Sequence, residues 1–320
     1  NNLTNNHKEI DALNVFPVPD GDTGTNMNMT FTSGVQDALK VKSEYVGDIA
    51  KALSKGLLMG ARGNSGVILS QIFRGFYQSV EGKASLTALD LAGAFLRGSE
   101  VAYKAVMRPV EGTILTVIRE SSFYAHNFVL QNEQASIEEY MDVLVKEAFE
   151  SLQRTPDLLP VLKEVGVVDS GGAGLLTVLQ GFQKALLGNP VQAEEVKEVT
   201  STAQESVESE EFGYCTEFIL KLNEYSIGTD VEDKLKRKLS KIGESLVVVQ
   251  DEDIVKVHVH TLTPGEALNL GQRYGEFIKL KIENMTYQHE QLIVEKDEEK
   301  PHKKYALITV ATGEGLTEMF

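Results

Sequence analysis

The most informative stretch of the chain is VFPVPDGDTGTNMNM, residues 15–29. Its prolines and glycine forbid a continuous helix through the first half, and a helical pattern starts directly behind them. Asp20 and Asp22 therefore stand two apart in a turn. The polar residues that follow at once are Thr23, Thr25 and Asn26. Two carboxylates this close repel each other unless a cation lies between them, and oxygen ligands on a turn before a helix suit Mg²⁺ and phosphate.

The same turn has two simpler interpretations. Asp and Gly are ordinary turn residues, so Asp20 and Asp22 can form an Asx-type turn that caps the helix starting near Thr25. A Ca²⁺ loop is excluded, because its sixth position is Thr25 rather than Gly and its twelfth is Phe31 rather than Glu. A magnesium site and a capped turn both remain open on these residues alone.

Three more glycine-rich turns separate helical patterns. They are MGARGNSGVILSQ (59–71), EGTIL (111–115) and VVDSGGAGL (167–175). Taken singly, each is explained by a helix–helix turn with capping residues, and the first lacks the lysine of a P-loop. Four turns with small, polar or acidic groups in one helical region predict that the turns meet at one end of it.

The periodicity of the chain divides it into segments. Residues 1–188 show helical spacing throughout and predict an all-α bundle or barrel. The eight expected helices are at about 2–13, 25–40, 46–60, 65–81, 86–107, 112–128, 136–152 and 171–187.

A change of composition marks the end of this helical region. Residues 189–211 contain seven Glu and one Lys, which predicts a flexible acidic linker. Residues 212–294 predict an α+β domain of order βαββαβ, the ferredoxin-like split βαβ pattern. A second charged linker is expected at 295–304. Residues 305–320 resemble the start of a third, truncated α/β domain.

Composition narrows the possible functions. The 320 residues carry 31 Lys+Arg against 47 Asp+Glu, a formal net charge of −16, which disfavours nucleic acid and anionic membranes as partners. The single cysteine, Cys215, excludes an intrachain disulfide framework. The sequence shows neither a long apolar run nor a signal-peptide pattern, so we expect a cytoplasmic protein without stable membrane insertion.

A second group of metal-ligating residues lies in the α+β region. His258 and His260 are two apart on a predicted strand and share its face opposite the valines. Cys215 and Glu217 lie on the corresponding face of the first strand, which neighbours the third in this topology. We expect Cys215, His258 and His260 to converge on one open sheet face with ligand types that suit Zn²⁺. A solvated H-x-H pair beside an ordinary cysteine is the alternative, because three ligands leave the tetrahedron unfinished.

The motifs DGDTGTNM, GARGNSG, EGT and DSGGAG, in that order, resemble those of the nucleotide-binding L domain of dihydroxyacetone kinases. The chain is similar over its whole length to the A subunits of bacterial fatty acid kinases. This resemblance rests on the segment NNHKEIDALNVFPVPDGDTGTNMNMTF together with the downstream domains. The resemblance implies a barrel of eight antiparallel helices holding ATP and two Mg²⁺ ions at one end. It also implies a catalytic chain that phosphorylates the carboxylate of a fatty acid presented by a separate lipid-binding B subunit, giving acyl phosphate for phospholipid synthesis.

The resemblance also implies roles for individual residues. The implied set is Asp20 and Asp22 on Mg²⁺; Thr23, Thr25 and Asn26 beside the phosphates; Asn64, Ser65 and Gly66 at the phosphates and nucleotide; Thr113 near the nucleotide; and Asp169, Gly171 and Gly172 closing over the adenosine. Dihydroxyacetone kinases have a third metal aspartate where this chain has Val15, so Asn14 or Asp11 is expected to substitute. The trio of Cys215, His258 and His260 matches a functionally required centre of the middle domain.

One basic residue completes the candidate site. Arg62, flanked by glycines, is either a group that stabilises transferred charge or a solvated surface arginine. A fatty carboxylate is already ionised at pH 7, so transfer to it needs no general base.

Two other functions are compatible with the motifs. One is a kinase of dihydroxyacetone or another small polyol, against which the covalent substrate-binding module of those kinases has no counterpart here. The other is a nucleotide-binding scaffold without catalysis. In either the fatty acid kinase or the scaffold, an open sheet face or edge of the middle domain is the expected homodimer surface.

Overall fold

Nine helices occupy the first of the two parts of the chain that the structure, a computed structural model, describes: residues 1–194 and 213–287. They are α1 (Asn2–Asp11), α2 (Thr23–Ala38), α3 (Val46–Gly60), α4 (Gly63–Val80), α5 (Ala88–Ala105), α6 (Ile114–Gln131), α7 (Ile137–Leu158), α8 (Pro160–Val165) and α9 (Ser170–Leu186). The helices pack around one apolar core whose fully buried members include Met27, Leu69, Ile118, Leu144 and Leu175. The N-terminal region is therefore helical, as expected.

The segment after residue 152 differs from the prediction. Helix α7 runs to Leu158, through Pro156, and is followed by the short α8, which was not expected. Pro156 has no N–H for the carbonyl of Leu152, and the Thr155 hydroxyl donates to that carbonyl instead, at 2.7 Å. Helix α8 begins with Pro160 at its first turn and ends before Gly166 at φ 77.

The second described part is a four-stranded antiparallel sheet with two helices. Its elements are β1 (Tyr214–Leu222), α10 (Val231–Leu239), β2 (Gly243–Asp251), β3 (Ile254–Thr261), α11 (Pro264–Gln272) and β4 (Gly275–Asn284). The strand order is β2-β3-β1-β4, so β1 pairs with both β3 and β4. Phe218, Leu220 and the valines of β3 pack on the helices, as the alternation predicted.

The opposite face of the sheet is not open, and this expectation was wrong. Val247 and Val249 of β2 pack against Leu58, Ala61 and Val67 of the helical domain. The run LVVV at 246–249 is buried on both sides because a strand between two packed layers needs apolar residues at every position. The middle domain therefore lies with this face against α3 and α4.

Two further observations complete the fold. Within residues 1–194 and 213–287, no helix combines the length and apolar character that a membrane crossing requires. Most of the predicted linker 189–211, the predicted second linker and the predicted start of a third domain at 305–320 lie outside the described residues.

Candidate active site at the domain interface

Asp20 and Asp22 lie in the turn that leads into α2, with Gly21 between them at φ 66. Asp22 is the N-cap residue of α2, but its side chain makes no capping hydrogen bond, so a capped turn does not account for it. Desolvation, followed by the charge of Asp22, raises the pKa of Asp20 well above its usual value, although the Asn14 amide donates to it. Desolvation likewise raises the pKa of Asp22. A pair of carboxylates held in this way fits a divalent cation, which would relieve their repulsion.

The polar residues predicted beside this pair separate into two groups. Asn14, Thr23 and Asn26 line the same cavity as the two aspartates. Thr25 faces away from the cavity, because its N–H and Oγ1 both donate to the carboxylate of Asp11, at 2.8 and 2.7 Å. Asp11 is thereby occupied in joining α1 to α2, which leaves Asn14 as the better-placed candidate for the third metal ligand.

The glycine-rich turn between α3 and α4 forms a second wall of the cavity. Asn64 and Ser65, at the start of α4, line it. A Cβ at Gly66 would lie 2.4 Å from Thr30 Oγ1, so a larger residue there would displace that hydroxyl. The backbone N–H of Arg62 donates to that same Thr30 hydroxyl at 3.1 Å, while the Arg62 side chain is not among the described residues that line the cavity.

The remaining two turns meet this wall. A Cβ at Gly171 would lie 3.3 Å from Ser65 Oγ and 3.2 Å from Ile114 Cβ, so the starts of α4, α6 and α9 are in contact. Thr113 and Asp169 are the N-caps of α6 and α9; Asp169 accepts from the N–H of Gly172 at 2.7 Å. Burial raises the pKa of Asp169 to about 7. The four glycine-rich turns thus lie together at one end of the helical domain.

The middle domain closes the cavity on its other side. The lining residues that it contributes are Cys215, His258, His260, Lys281 and Glu283. Two groups that the sequence presents as separate sites, about 200 residues apart, are therefore one site. Strand alternation predicted that the cysteine and histidines share a face, but no sequence signal indicated that this face meets the aspartates.

Cys215, His258 and His260 have their ligand atoms within 4.8 Å of one another. His258 Nδ1 lies 2.8 Å from Glu217 Oε1, and its Nε2 lies 3.2 Å from His260 Nε2. Burial opposes a charge on His258, but Cys215 and Glu217 outweigh it and raise the His258 pKa to about 10; burial and His258 lower the His260 pKa to about 3. Cys215 Sγ lies 4.0 Å from His258 Nδ1, the nitrogen that Glu217 also contacts. The trio offers sulfur and nitrogen ligand atoms of the kind that suit Zn²⁺, and binding the ion would release the proton that the raised pKa places on His258.

Two charged residues that sequence reasoning did not assign join the middle domain to the glycine-rich turn. Glu217 is 5 % exposed and accepts from the N–H of Gly63 at 2.6 Å. Lys256 is 2 % exposed and donates from Nζ to the carbonyl of Ala61. The strand pattern VKVHVH places Lys256 on the face of the two histidines, which is the signal that pointed to it. We call Glu217 and Lys256 the interdomain clamp.

Comparison with known proteins agrees with this two-domain description. Residues 17–184 match the family model of the DAK2 domain. Residues 211–292 match the family model of the middle domain found in the A subunits of fatty acid kinases and in proteins like them.

Similar proteins are found in bacteria. The chain is 48 % identical to protein YloV of Bacillus subtilis (strain 168) over 336 aligned positions. It is 46 % identical to an uncharacterised protein of Staphylococcus haemolyticus (strain JCSC1435) and 48 % identical to one of Staphylococcus aureus (strain USA300). In each comparison the whole chain is covered, and it spans 60 % of the length of the relative.

Proposed function

Because the chain belongs to the DAK2-domain family and carries the middle domain typical of fatty acid kinase A subunits, we propose that it is the catalytic part of an ATP-dependent fatty acid kinase. Its two domains are those of the fatty acid kinase and dihydroxyacetone kinase family. The acceptor would be the carboxylate of a fatty acid presented by a separate lipid-binding protein. The product would be an acyl phosphate for phospholipid synthesis.

The observation that carries this proposal is the shared cavity. Its lining includes Asp20 and Asp22 together with Asn64 and Ser65 at the start of α4. Helix N-termini attract phosphate, and paired carboxylates attract Mg²⁺, so one cavity offers complementary groups for both parts of Mg·ATP. Two Mg²⁺ ions on Asp20, Asp22 and Asn14 would neutralise charge on the β- and γ-phosphates.

The proposed phosphoryl transfer requires mainly that the protein position the acceptor carboxylate and the γ-phosphate and neutralise their charge. An oxygen of the acceptor carboxylate forms a bond to the γ-phosphorus, and the bond from that phosphorus to the β–γ bridging oxygen breaks, leaving ADP. No proton moves, because the carboxylate is ionised at neutral pH. Thr23 and Asn26 would hold the phosphates, and Thr113, Asp169, Gly171 and Gly172 would hold the adenosine.

The histidine cluster belongs to the same proposal. Cys215, His258 and His260 would bind Zn²⁺, and Glu217 would orient His258 through its contact with Nδ1. Since Glu217 also holds the N–H of Gly63, the metal would stabilise the contact between the two domains.

Assembly is a further part of the proposal. The edge strand β4 exposes Ile278, Leu280 and Ile282 at 47, 50 and 43 %, which supports a homodimer through the middle domain at this edge. We also propose that the N-terminal helices other than the short α8 form the eight-helix barrel, and that the sheet domain is related to ferredoxin-like domains.

The test is a binding and transfer experiment with the full chain. Calorimetric titration with a non-hydrolysable ATP analogue should show Mg²⁺-dependent binding. That binding should be lost in Asp20→Asn and Asp22→Asn, whose far-UV circular dichroism should be unchanged. Radiolabelled ATP should then label a fatty acid on its lipid-binding protein but not dihydroxyacetone. Labelling of dihydroxyacetone instead, or undiminished binding in both variants, would contradict the proposal.

A further inference from the structure

A lysine of the middle domain lines the cavity. Among the described residues that line the cavity, Lys281 is the only lysine or arginine. It lies on β4, directly opposite Glu217 of β1. The same lining contains Asp20, Asp22, Asn64 and Ser65, so Lys281 borders the cavity that also holds the proposed metal ligands and the proposed phosphate cradle.

Lys281 forms an ion pair with Glu283 that another anion could replace. Its Nζ lies 2.7 Å from Glu283 Oε2, two residues along the same strand, with the side chains 26 and 33 % exposed. Burial opposes its charge, but the hydrogen bond to Glu283 and the charge of Glu283 raise the pKa of Lys281, and electrostatic attraction to Glu217 and Cys215 adds to this. The lysine is thus fully charged at neutral pH. A partly exposed ion pair is weak, so its ammonium can be transferred to a stronger anion at little cost.

The charge of Lys281 already reaches the aspartate pair. Desolvation is the largest influence on the pKa of Asp22 and raises it, while Lys281 acts in the opposite direction. A bound nucleotide would bring its terminal phosphate into this acidic cavity, where Asp20, Asp22 and Glu283 all repel it. Transfer of a phosphoryl group needs a cation that is in place as charge develops. Arg62, the basic residue expected in this role, does not line the cavity.

We propose that Lys281 is a catalytic residue that the middle domain supplies to the nucleotide site. Its ammonium leaves Glu283 when nucleotide binds and contacts the terminal phosphate, where it stabilises the transferring group. Glu283 forms an ion pair with the ammonium while no nucleotide is bound. This inference rests on the proposed function and explains why a kinase site would be built across two domains.

The test compares two ligands of the full chain. Mg·ADP measures nucleotide binding, and Mg·ADP with aluminium fluoride mimics the transferring phosphoryl group. Lys281→Met should weaken binding of the aluminium fluoride complex at least 10-fold, which corresponds to about 1.4 kcal/mol, and change Mg·ADP binding less than 2-fold. Lys281→Arg should restore most of the difference. The matched control is Lys279→Met, which removes the same charge from an exposed position of the same strand and should match wild type.

A second pair of variants tests the role of Glu283. Glu283→Gln should tighten the aluminium fluoride complex more when Lys281 is present than in the Lys281→Met background, where it removes only the repulsion between Glu283 and the phosphate. Equal binding of this complex by Lys281→Met and Lys279→Met would overturn the inference. So would a parallel loss of both ligands that arginine does not rescue, since that indicates a structural role. Failure of the wild-type chain to bind Mg·ADP would instead contradict the proposed function, and the inference with it.

Discussion

Asp20 and Asp22 illustrate how a site can oppose the stability of its own fold. Their carboxylates face each other in a cavity that disfavours charge, and each has a raised pKa. Asp20 also accepts the amide of Asn14, which an asparagine at position 20 could preserve. The residues that would bind the metal are therefore a source of strain without it.

A first prediction follows from this repulsion. Asp20→Asn should raise the free energy of unfolding in EDTA by about 1 kcal/mol, a shift of about 2–4 °C in Tm, because it removes one of two like charges. Mg²⁺ with nucleotide should stabilise wild type further but leave the variant unchanged. Thermal unfolding in both buffers measures this. A variant that is less stable than wild type in EDTA would show that the pair does not repel.

Gly21 and Gly82 allow a matched prediction about backbone. Both have positive φ, at 66 and 73, and a Cβ on either would have nothing within 4 Å. Alanine at each position should therefore cost about 1 kcal/mol through backbone strain alone. Gly21→Ala should in addition weaken Mg²⁺-dependent nucleotide binding, because it moves the two carboxylates apart, whereas Gly82→Ala should bind as wild type does. Equal nucleotide binding by both variants would show that the conformation of the turn at Gly21 does not determine Mg²⁺-dependent binding.

Asp169 predicts a pH dependence of stability. Its pKa is about 7 in the folded chain against 3.8 for the free side chain, so the fold favours the protonated form. The stability that this group contributes is present below about pH 4 and is lost as pH rises through 7. Relative to Asp169→Asn, wild type should lose up to about 4 kcal/mol between these limits. Urea titrations at several pH values measure the difference, and a constant difference would contradict the prediction.

At the scale of elements, the interdomain clamp holds the turn between α3 and α4. Three consecutive residues of that turn form hydrogen bonds through their backbone. The Ala61 carbonyl accepts from Lys256, the Arg62 N–H donates to Thr30, and the Gly63 N–H donates to Glu217. Two of these partners belong to the middle domain. A buried charge left without its partner is costly, so the clamp couples the docking of the sheet to the shape of the turn.

The clamp gives a prediction that hydrogen exchange can measure. Lys256→Met leaves the Ala61 carbonyl without its donor and removes one of the positive charges near Glu217. Amides of residues 61–66 should then exchange at least 10-fold faster, and nucleotide should bind more weakly. Lys221→Met, an exposed lysine of β1, is the control. Unchanged exchange at the turn would mean that the helical domain shapes it alone.

The elements show what the sequence can and cannot predict. Helical spacing, the strand alternation and the shared face of Cys215 and His258 follow from local periodicity, and all are observed. The passage of α7 through Pro156 depends on the Thr155 hydroxyl, which bonds the carbonyl that the proline leaves free, and hydrophobic spacing carries no information on that bond. Helix α8 has only six residues, too few for a helical periodicity to show in the sequence. The buried second face of β2 was readable from its apolar run, but its partner helices were not, because docking depends on contacts between residues about 190 apart.

At the scale of the molecule, the acidic character of the chain has two different consequences. Part of the net charge of −16 lies in the segment 189–211, where it predicts only solvation. The acids of the cavity, by contrast, come from both domains: Asp20 and Asp22 from the helical domain and Glu283 from the middle domain. Cations, whether metal ions or Lys281, would reduce the repulsion among them.

The proposed activity depends on one composite site, and anomalous diffraction tests that site most directly. Crystals of the full chain grown with Mn²⁺ and a non-hydrolysable ATP analogue should show manganese at about 2.1 Å from the carboxylates of Asp20 and Asp22. The phosphates should lie against Asn64 and Ser65, in the cavity that His258 and Lys281 also line. Nucleotide bound elsewhere, or bound here with no manganese on these two aspartates, would contradict the existence of this site.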